Sequence, residues 1–137
     1  TALENFQQQD FSGKRVLLVE DNELNIEVAA ELLDVVGIQV ETAVNGRLAV
    51  DTVRQKAPGY YDLIFMDIQM PVMNGYEAAV EIRSSGREDL ERIPIIAMTA
   101  DAFADDIRKA KEAGMNDHIS KPVDIGKLEE ALEKWIS

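Results

Sequence analysis

Five residues of this 137-residue chain could act together on a charged, oxygen-rich group, and each stands at the end of a short strand-like run. Glu20 and Asp21 follow Val16 to Val19. Asp67 follows Leu63 to Met66, Thr99 follows Ile93 to Met98, and Lys121, with Pro122 behind it, follows the short run "DHIS". Three carboxylates brought together repel, since two charges ~4 Å apart at an effective dielectric of ~20 cost roughly 4 kcal/mol. Either their pKa values rise or a cation joins them. Hard oxygen ligands with open positions suit Mg²⁺, which keeps several waters and tolerates few protein carboxylates. An aspartate beside a divalent cation and a lysine is placed to attack phosphorus. The two positive charges would neutralise the phosphoryl oxygens in the transition state, and the Thr99 hydroxyl could donate to one of them. Each residue alone has an ordinary reading: Glu20 or Asp21 as a helix cap, Asp67 as a loop acid, Thr99 as a strand end, Lys121-Pro122 as a turn. Only their convergence separates the two accounts.

Convergence requires elements that deliver all five to one edge. "KRVLLVED" reads as a buried strand ended by acids. A helix follows with Leu24, Val28, Leu32 and Val35/Val36 at helical spacing, stopped by Gly37. "IQVETAV" alternates at period two, as a strand open to water on one side. After the Asn45-Gly46 turn, a helix on Leu48, Ala49 and Val53 runs to about Lys56, and Pro58-Gly59 ends it. "DLIFMD" is the third strand, "GYEAAVEIRSS" a short helix, "GREDLER" a solvated charged loop and Ile93 to Met98 the fourth strand. "DAFADDIRKAKEAG" is a helix and "DHIS" a fifth strand. The last helix carries Ile125, Leu128, Ala131/Leu132 and Trp135 on one face. Residues 1–13 read as a linker or leading tail, and 14–137 as the domain. Five strands alternate with five helices, and three of the strands carry continuous apolar runs. That pattern predicts an α/β fold, an open doubly wound parallel sheet with right-handed crossovers. Such sheets bind ligands outside the carboxyl ends of their strands, where all five residues fall.

The bulk composition narrows the classes further. The chain is 46% hydrophobic and 29% charged, which suits one globular domain. No apolar run approaches the ~20 residues of a membrane span, and the polar start "TALENFQQQD" lacks the apolar core of a signal peptide. A first residue of Thr reads as a processed or excised piece. The absence of cysteine excludes disulfide and thiolate chemistry and favours a reducing compartment. A formal net charge of −12 argues against nucleic acid as a direct partner and suits a basic-faced partner or a bound cation.

The motifs "VLLVEDNELN", "DLIFMDIQMPVMNGYEA", "IIAMTA" and "HISKPV" occur in this order, and the chain from about Lys14 to Ile136 resembles a response-regulator receiver domain. The resemblance implies a flavodoxin-like (βα)5 fold with strand order 2-1-3-4-5. It implies that Asp67 accepts a phosphoryl group from a phosphohistidine. Mg²⁺ would be held by Glu20, Asp21, Asp67 and the backbone carbonyl of Gln69. Thr99 would turn inward to the phosphoryl group, Lys121 would pair with it, and the Lys121–Pro122 peptide would be cis. Gln69 and Asp101 would set the lifetime of the aspartyl phosphate, although Asp101 reads equally well as a helix N-cap. Ala100 leaves access to the phosphoryl group. Met70, Pro71 and Met73 form an apolar lip that either meets a partner helix or packs the loop. One position departs from the family pattern. His118 stands where Tyr or Phe usually swings inward with the threonine, and imidazole is smaller, polar and titratable near neutral pH. A weaker or pH-sensitive switch is the expectation there, against a simple solvent-facing residue.

"FSGKRVLLVEDNELN" and "MTADAF" resemble receivers of hybrid sensor histidine kinases. The partners implied are a histidine kinase domain, a histidine phosphotransfer domain, or both. The domain would lie in the cytoplasm, tethered in some parents to a membrane-bound kinase, without touching nucleic acid or membrane. It would catalyse only its own phosphorylation and dephosphorylation, with room for a weak dimer on phosphorylation. The alternative is a stand-alone or excised response-regulator receiver, which would switch a partner-binding face. A magnesium-dependent phosphohydrolase is remote, because that class places a second acid two residues after the aspartate, where Gln69 stands. A flavodoxin-like cofactor binder is disfavoured by the two acids in the first loop. The full acid, hydroxyl and lysine set argues against an inactive pseudo-receiver.

Overall fold

The computed structural model describes residues 1–100 and 104–136. Its strands are β1 (Arg15–Val19), β2 (Gln39–Ala43), β3 (Leu63–Asp67), β4 (Ile95–Thr99) and β5 (Asp117–Ser120). They form one parallel sheet in the order β2-β1-β3-β4-β5, the flavodoxin-like order. The described helices are α1 (Ala2–Gln7), α2 (Glu23–Val35), α3 (Gly46–Gln55), α4 (Gly75–Arg83), α5 (Glu88–Arg92), α6 (Ala104–Glu112) and α7 (Ile125–Ile136). β3 and β4 are buried along their whole length because helices cover both faces of the sheet centre, which is why they read as unbroken apolar runs. Alternate residues serve opposite faces. Leu17, Val19, Ile64, Met66, Ile95 and Ala97 pack with α3, α4 and α6. Val16, Leu18, Leu63, Phe65, Ile96 and Met98 pack with α2 and α7.

Several local expectations need correction. "GREDLER" is not merely a solvated loop: it contains α5, and Leu90 is buried in the core. Arg87 pairs with Asp89 at 2.8 Å and donates to the carbonyls of Val53 and Arg54, so its charge closes the end of α3. β4 begins at Ile95 rather than Ile93, and Pro94, which has no N–H to give the ladder, contributes its carbonyl to Ile64 N–H at 2.9 Å. α2 turns inward only part of the stripe its spacing picked out: Leu32 and Val36 pack on the core, whereas Leu24, Val28 and Val35 are exposed. Ala29 and Leu33 are buried as well, and Leu24 is 66% and Val28 43% exposed. Residues 2–7, read from sequence within a leading tail, form a helix capped by Thr1, and its Phe6 is buried in the core shared by α2 and α7.

The loop from β3 to α4 carries an unusual backbone. Met73 N–H donates to the Pro71 carbonyl at 2.7 Å, a γ-turn that forces the intervening Val72 to φ 70°. Val72 is the one non-glycine residue at positive φ among the described residues, and it is 80% exposed. Met70 and Met73 of the same lip pack on the core. A β-branched residue there costs about 1–2 kcal/mol, and asparagine tolerates the conformation better. Val72→Asn should therefore raise the urea midpoint, with a gain of about 1 kcal/mol. An unchanged or lowered midpoint would show that the turn relaxes around valine.

Candidate functional site

Register places the chemistry at the carboxyl edge. Val19 pairs with Met66, Asp67 with Met98, and Thr99 with Ser120, so Glu20, Asp67, Thr99 and Lys121 all emerge at one end of neighbouring strands. Asn22 starts α2 by accepting from Asn25 N–H at 3.0 Å, which leaves Glu20 and Asp21 on the intervening turn. Asn74 and Glu77 form a reciprocal cap on α4. Gly75 then passes so close to β3 that a Cβ would be driven into the Asp67 carbonyl oxygen. The Asn-Gly pair is thus required for α4 to begin directly beneath the acid.

Glu20, Asp67 and Thr99 are the buried polar residues of the described chain, while Asp21 is exposed. Oxygens of Glu20, Asp21 and Asp67 lie within 4.8 Å of one another. Lys121 Nζ bridges two of them, 2.9 Å from Asp67 Oδ1 and 3.1 Å from Glu20 Oε2. The other Glu20 oxygen accepts from Asn22 N–H at 3.1 Å and from Asn25 Nδ2 at 3.5 Å. Burial raises the Asp67 pKa to about 6; the Glu20 and Asp21 charges push the same way, and the Lys121 contact only partly opposes them. Burial works against charge on Lys121 too, but Asp67 and Glu20 more than offset it and hold its pKa above the ordinary value. The Lys121–Pro122 peptide is cis, as the resemblance implies.

The Thr99 hydroxyl is buried, 3% exposed as a residue, and has no hydrogen-bond partner among the described residues. A buried hydroxyl without a partner loses about 1–3 kcal/mol of hydration, so this atom fits a ligand oxygen. The three carboxylates fit a hard divalent cation on the same grounds: one ammonium does not balance them, and oxygen donors are what such an ion takes. The cleft they line has a volume of about 360 Å³.

Glu20, Asp21, Asp67, Thr99 and Lys121 therefore share one cleft, with Gln69 exposed on its rim and Ala100 alongside. His118 is not among the cleft residues. It lies half-exposed on β5, Nδ1 3.9 Å from Asp117 Oδ1, in a groove with Lys127 and Glu130. Asp101 lies outside the described residues. Sequence reasoning missed Asn25, Tyr76 and Asp106, which also line the cleft. Asn25 sits third in α2 and Tyr76 second in α4. Asp106 is brought in from α6, where the Tyr76 hydroxyl donates to its carbonyl at 3.4 Å. Only the tertiary fold joins them.

The family model for the response regulator receiver domain matches residues 16–133, and the chain belongs to that family. Over 133 residues, 94% of the chain, it is 40% identical to hybrid signal transduction histidine kinase L of Dictyostelium discoideum. The chain spans 8% of that protein's length. Among solved structures, the receiver domain of a sensor histidine kinase from Pseudomonas aeruginosa has a magnesium ion coordinated in its active-site cleft. It matches with a TM-score of 0.81 at 39% identity, covering 91% of this chain and 98% of that one. The receiver domain of the Saccharomyces cerevisiae response regulator Ssk1, co-crystallised with the histidine phosphotransfer signaling protein Ypd1, also gives a TM-score of 0.81. Its identity is 36%, covering 93% of this chain and 91% of that one. The chain is thus a receiver domain of two-component signalling, homologous to those of hybrid histidine kinases.

Proposed function

We propose that Asp67 takes a phosphoryl group from a phosphohistidine of a kinase or phosphotransfer domain and passes it on within a relay. The observation that carries this reading is the Lys121 bridge between Asp67 and Glu20 beside a buried Thr99 hydroxyl without a partner among the described residues. Asp67 with a pKa of about 6 is mostly ionised at neutral pH and can act as nucleophile. Its oxygen bonds to phosphorus as the nitrogen–phosphorus bond breaks, and the imidazole leaves with that electron pair and takes up a proton. Lys121 holds one phosphoryl oxygen and the Thr99 hydroxyl donates to another, so negative charge is met where it develops. Glu20, Asp21, Asp67 and the Gln69 carbonyl would hold Mg²⁺, which when bound supplies further neutralisation of the phosphoryl oxygens. Gln69 and Asp101 tune access of water to the product. His118 is the group that would follow Thr99 when the domain switches.

The exposed Leu24 and Val28 of α2 lie just beyond Asp21 and Asn22 of the cleft wall, a natural landing for the apolar face of a phosphotransfer helix. The parent protein on this reading is a cytoplasm-facing hybrid histidine kinase. Among the described residues no helix is long and apolar enough to cross a membrane. The test is transfer from a ³²P-labelled histidine phosphotransfer domain in Mg²⁺. Label should move to this chain, stay acid-stable but hydroxylamine-labile, and stop moving when EDTA is added. Label that remains on the donor with every phosphotransfer domain and kinase tried would overturn the proposal.

A further inference from the structure

The two carbonyls flanking Lys121 converge on a second lysine. Lys127 Nζ receives the Ser120 carbonyl at 2.9 Å and the Pro122 carbonyl at 3.0 Å, donating to both. The N–H of Lys121 itself donates to the Thr99 carbonyl at 2.8 Å. The backbone around Lys121 is therefore tied to β4 on one side and to the first turn of α7 on the other. Only its side chain is left to reach across to Asp67 and Glu20. Lys127 is itself pinned: its N–H donates to Asp124 Oδ1 at 2.9 Å, and its ammonium lies 3.9 Å from the other Asp124 oxygen.

Its location makes this arrangement informative. A cation in the first turn of a helix opposes the helix dipole, at a cost of about 0.3–1 kcal/mol. A lysine there would ordinarily extend into water, yet this side chain is only 33% exposed and folds back over the loop. Donors on a charged head make stronger hydrogen bonds than neutral ones, and this head serves both carbonyls that fix the direction in which Lys121 departs from the backbone.

We propose that Lys127 is a positioning residue for phosphoryl binding. It acts through Lys121 by strapping the Ser120 and Pro122 carbonyls, and it touches neither the metal ligands nor the phosphoryl group. This rests on the reading of Lys121 as the phosphoryl-pairing lysine. The test is calorimetric titration with beryllofluoride in Mg²⁺, set beside titration with Mg²⁺ alone. Lys127→Met should weaken beryllofluoride binding about tenfold, less than the ~100-fold that a 1 Å misplacement of a reacting group can cost. Mg²⁺ affinity should not fall, because a loosened Lys121 ammonium competes less with the cation for the Asp67 and Glu20 oxygens. Lys127→Arg, which keeps a charged donor, should recover most of the loss. In a Lys121→Met background, adding Lys127→Met should change nothing, because the group it positions is gone.

An undiminished beryllofluoride affinity in Lys127→Met, or an equal loss in the Lys121→Met background, would overturn the inference while leaving the role of Lys121 intact. If Lys121→Met alone leaves beryllofluoride binding unchanged, the site reading fails and this inference with it. Should Lys127→Met not fold, Lys127→Gln keeps an uncharged donor. An intermediate loss that vanishes in the Lys121→Met background supports the strap, and no loss overturns it.

Discussion

Asp67→Asn is expected to abolish the single phosphate adduct that wild type acquires from acetyl phosphate in Mg²⁺, and at the same time to stabilise the metal-free fold above pH 6. The first effect follows from loss of the nucleophilic oxygen, and intact-mass measurement on wild type, Asp67→Asn and Asp67→Ala reads it directly. An adduct on either variant would move the acceptor elsewhere. The second effect follows from linkage. The Asp67 carboxyl has a folded pKa of about 6, above its ordinary 3.8. The folded state therefore holds this proton more tightly than the unfolded state. The stability it contributes is fully present below the unfolded pKa and is lost as pH rises through the folded one. Between about pH 4 and 6 wild type should lose of order 1 kcal/mol relative to Asp67→Asn, after allowance for solvent screening. Other acids titrate in both proteins, so the difference between their melting curves is the quantity to follow. Mg²⁺ at about a hundred times its Kd should stabilise wild type by about 2.7 kcal/mol, the asparagine variant by less, and EDTA should reverse both. Parallel pH profiles for the two proteins, or equal stabilisation by Mg²⁺, would contradict the electrostatic account of the cleft.

Much of this cleft was legible because of where it sits. Parallel strands at the centre of a sheet are buried on both faces, so they appear as continuous apolar runs, and the abrupt acid after Met66 marks a strand end without ambiguity. Once the ends were located, topology alone brought Glu20, Asp67, Thr99 and Lys121 together. The helices were harder to read. α2 carries two overlapping apolar stripes, one through Ala29, Leu33 and Val36 and one through Leu24, Val28, Leu32 and Val35/Val36; periodicity is satisfied by both. Only packing against the sheet decides which faces inward. α5 was hidden because a single leucine among six charged or small residues leaves no periodicity to detect. The lack of a partner for the Thr99 hydroxyl among the described residues and the double grip of Lys127 are properties of three-dimensional surroundings that no spacing encodes.

The leading segment makes the same point about packing with a larger energy at stake. "TALENFQQQDFSG" is polar, with too few apolar residues to announce a helix, yet Phe6 is 0% exposed and joins Leu33, Val36, Leu132 and Ile136 in the core beneath α2 and α7. Phe11 is buried beside it, and its N–H donates to the Val36 carbonyl at 2.8 Å, which satisfies an otherwise free group just past the end of α2. Gln9 reaches Glu133 on α7 at 3.2 Å. Removing a buried phenylalanine side chain costs about 3–5 kcal/mol. Phe6→Ala should accordingly lower stability by about 3 kcal/mol, a fall in Tm on the order of 10 °C for a domain of this length. Deleting residues 1–13 should cost at least as much, since it uncovers the same surface and frees the Val36 carbonyl. Leu3→Ala, at a half-exposed position on the same helix, should change stability by no more than about 0.5 kcal/mol. The proposed phosphoacceptor cleft lies at the opposite, carboxyl edge of the sheet, so Phe6→Ala should accept phosphate at the wild-type rate at temperatures where it remains folded. A deletion variant that melts with wild type would show that the segment is a tether in solution and that the core closes without it. A Phe6→Ala protein that melts early yet phosphorylates normally would establish that this short polar stretch is part of the domain's hydrophobic structure.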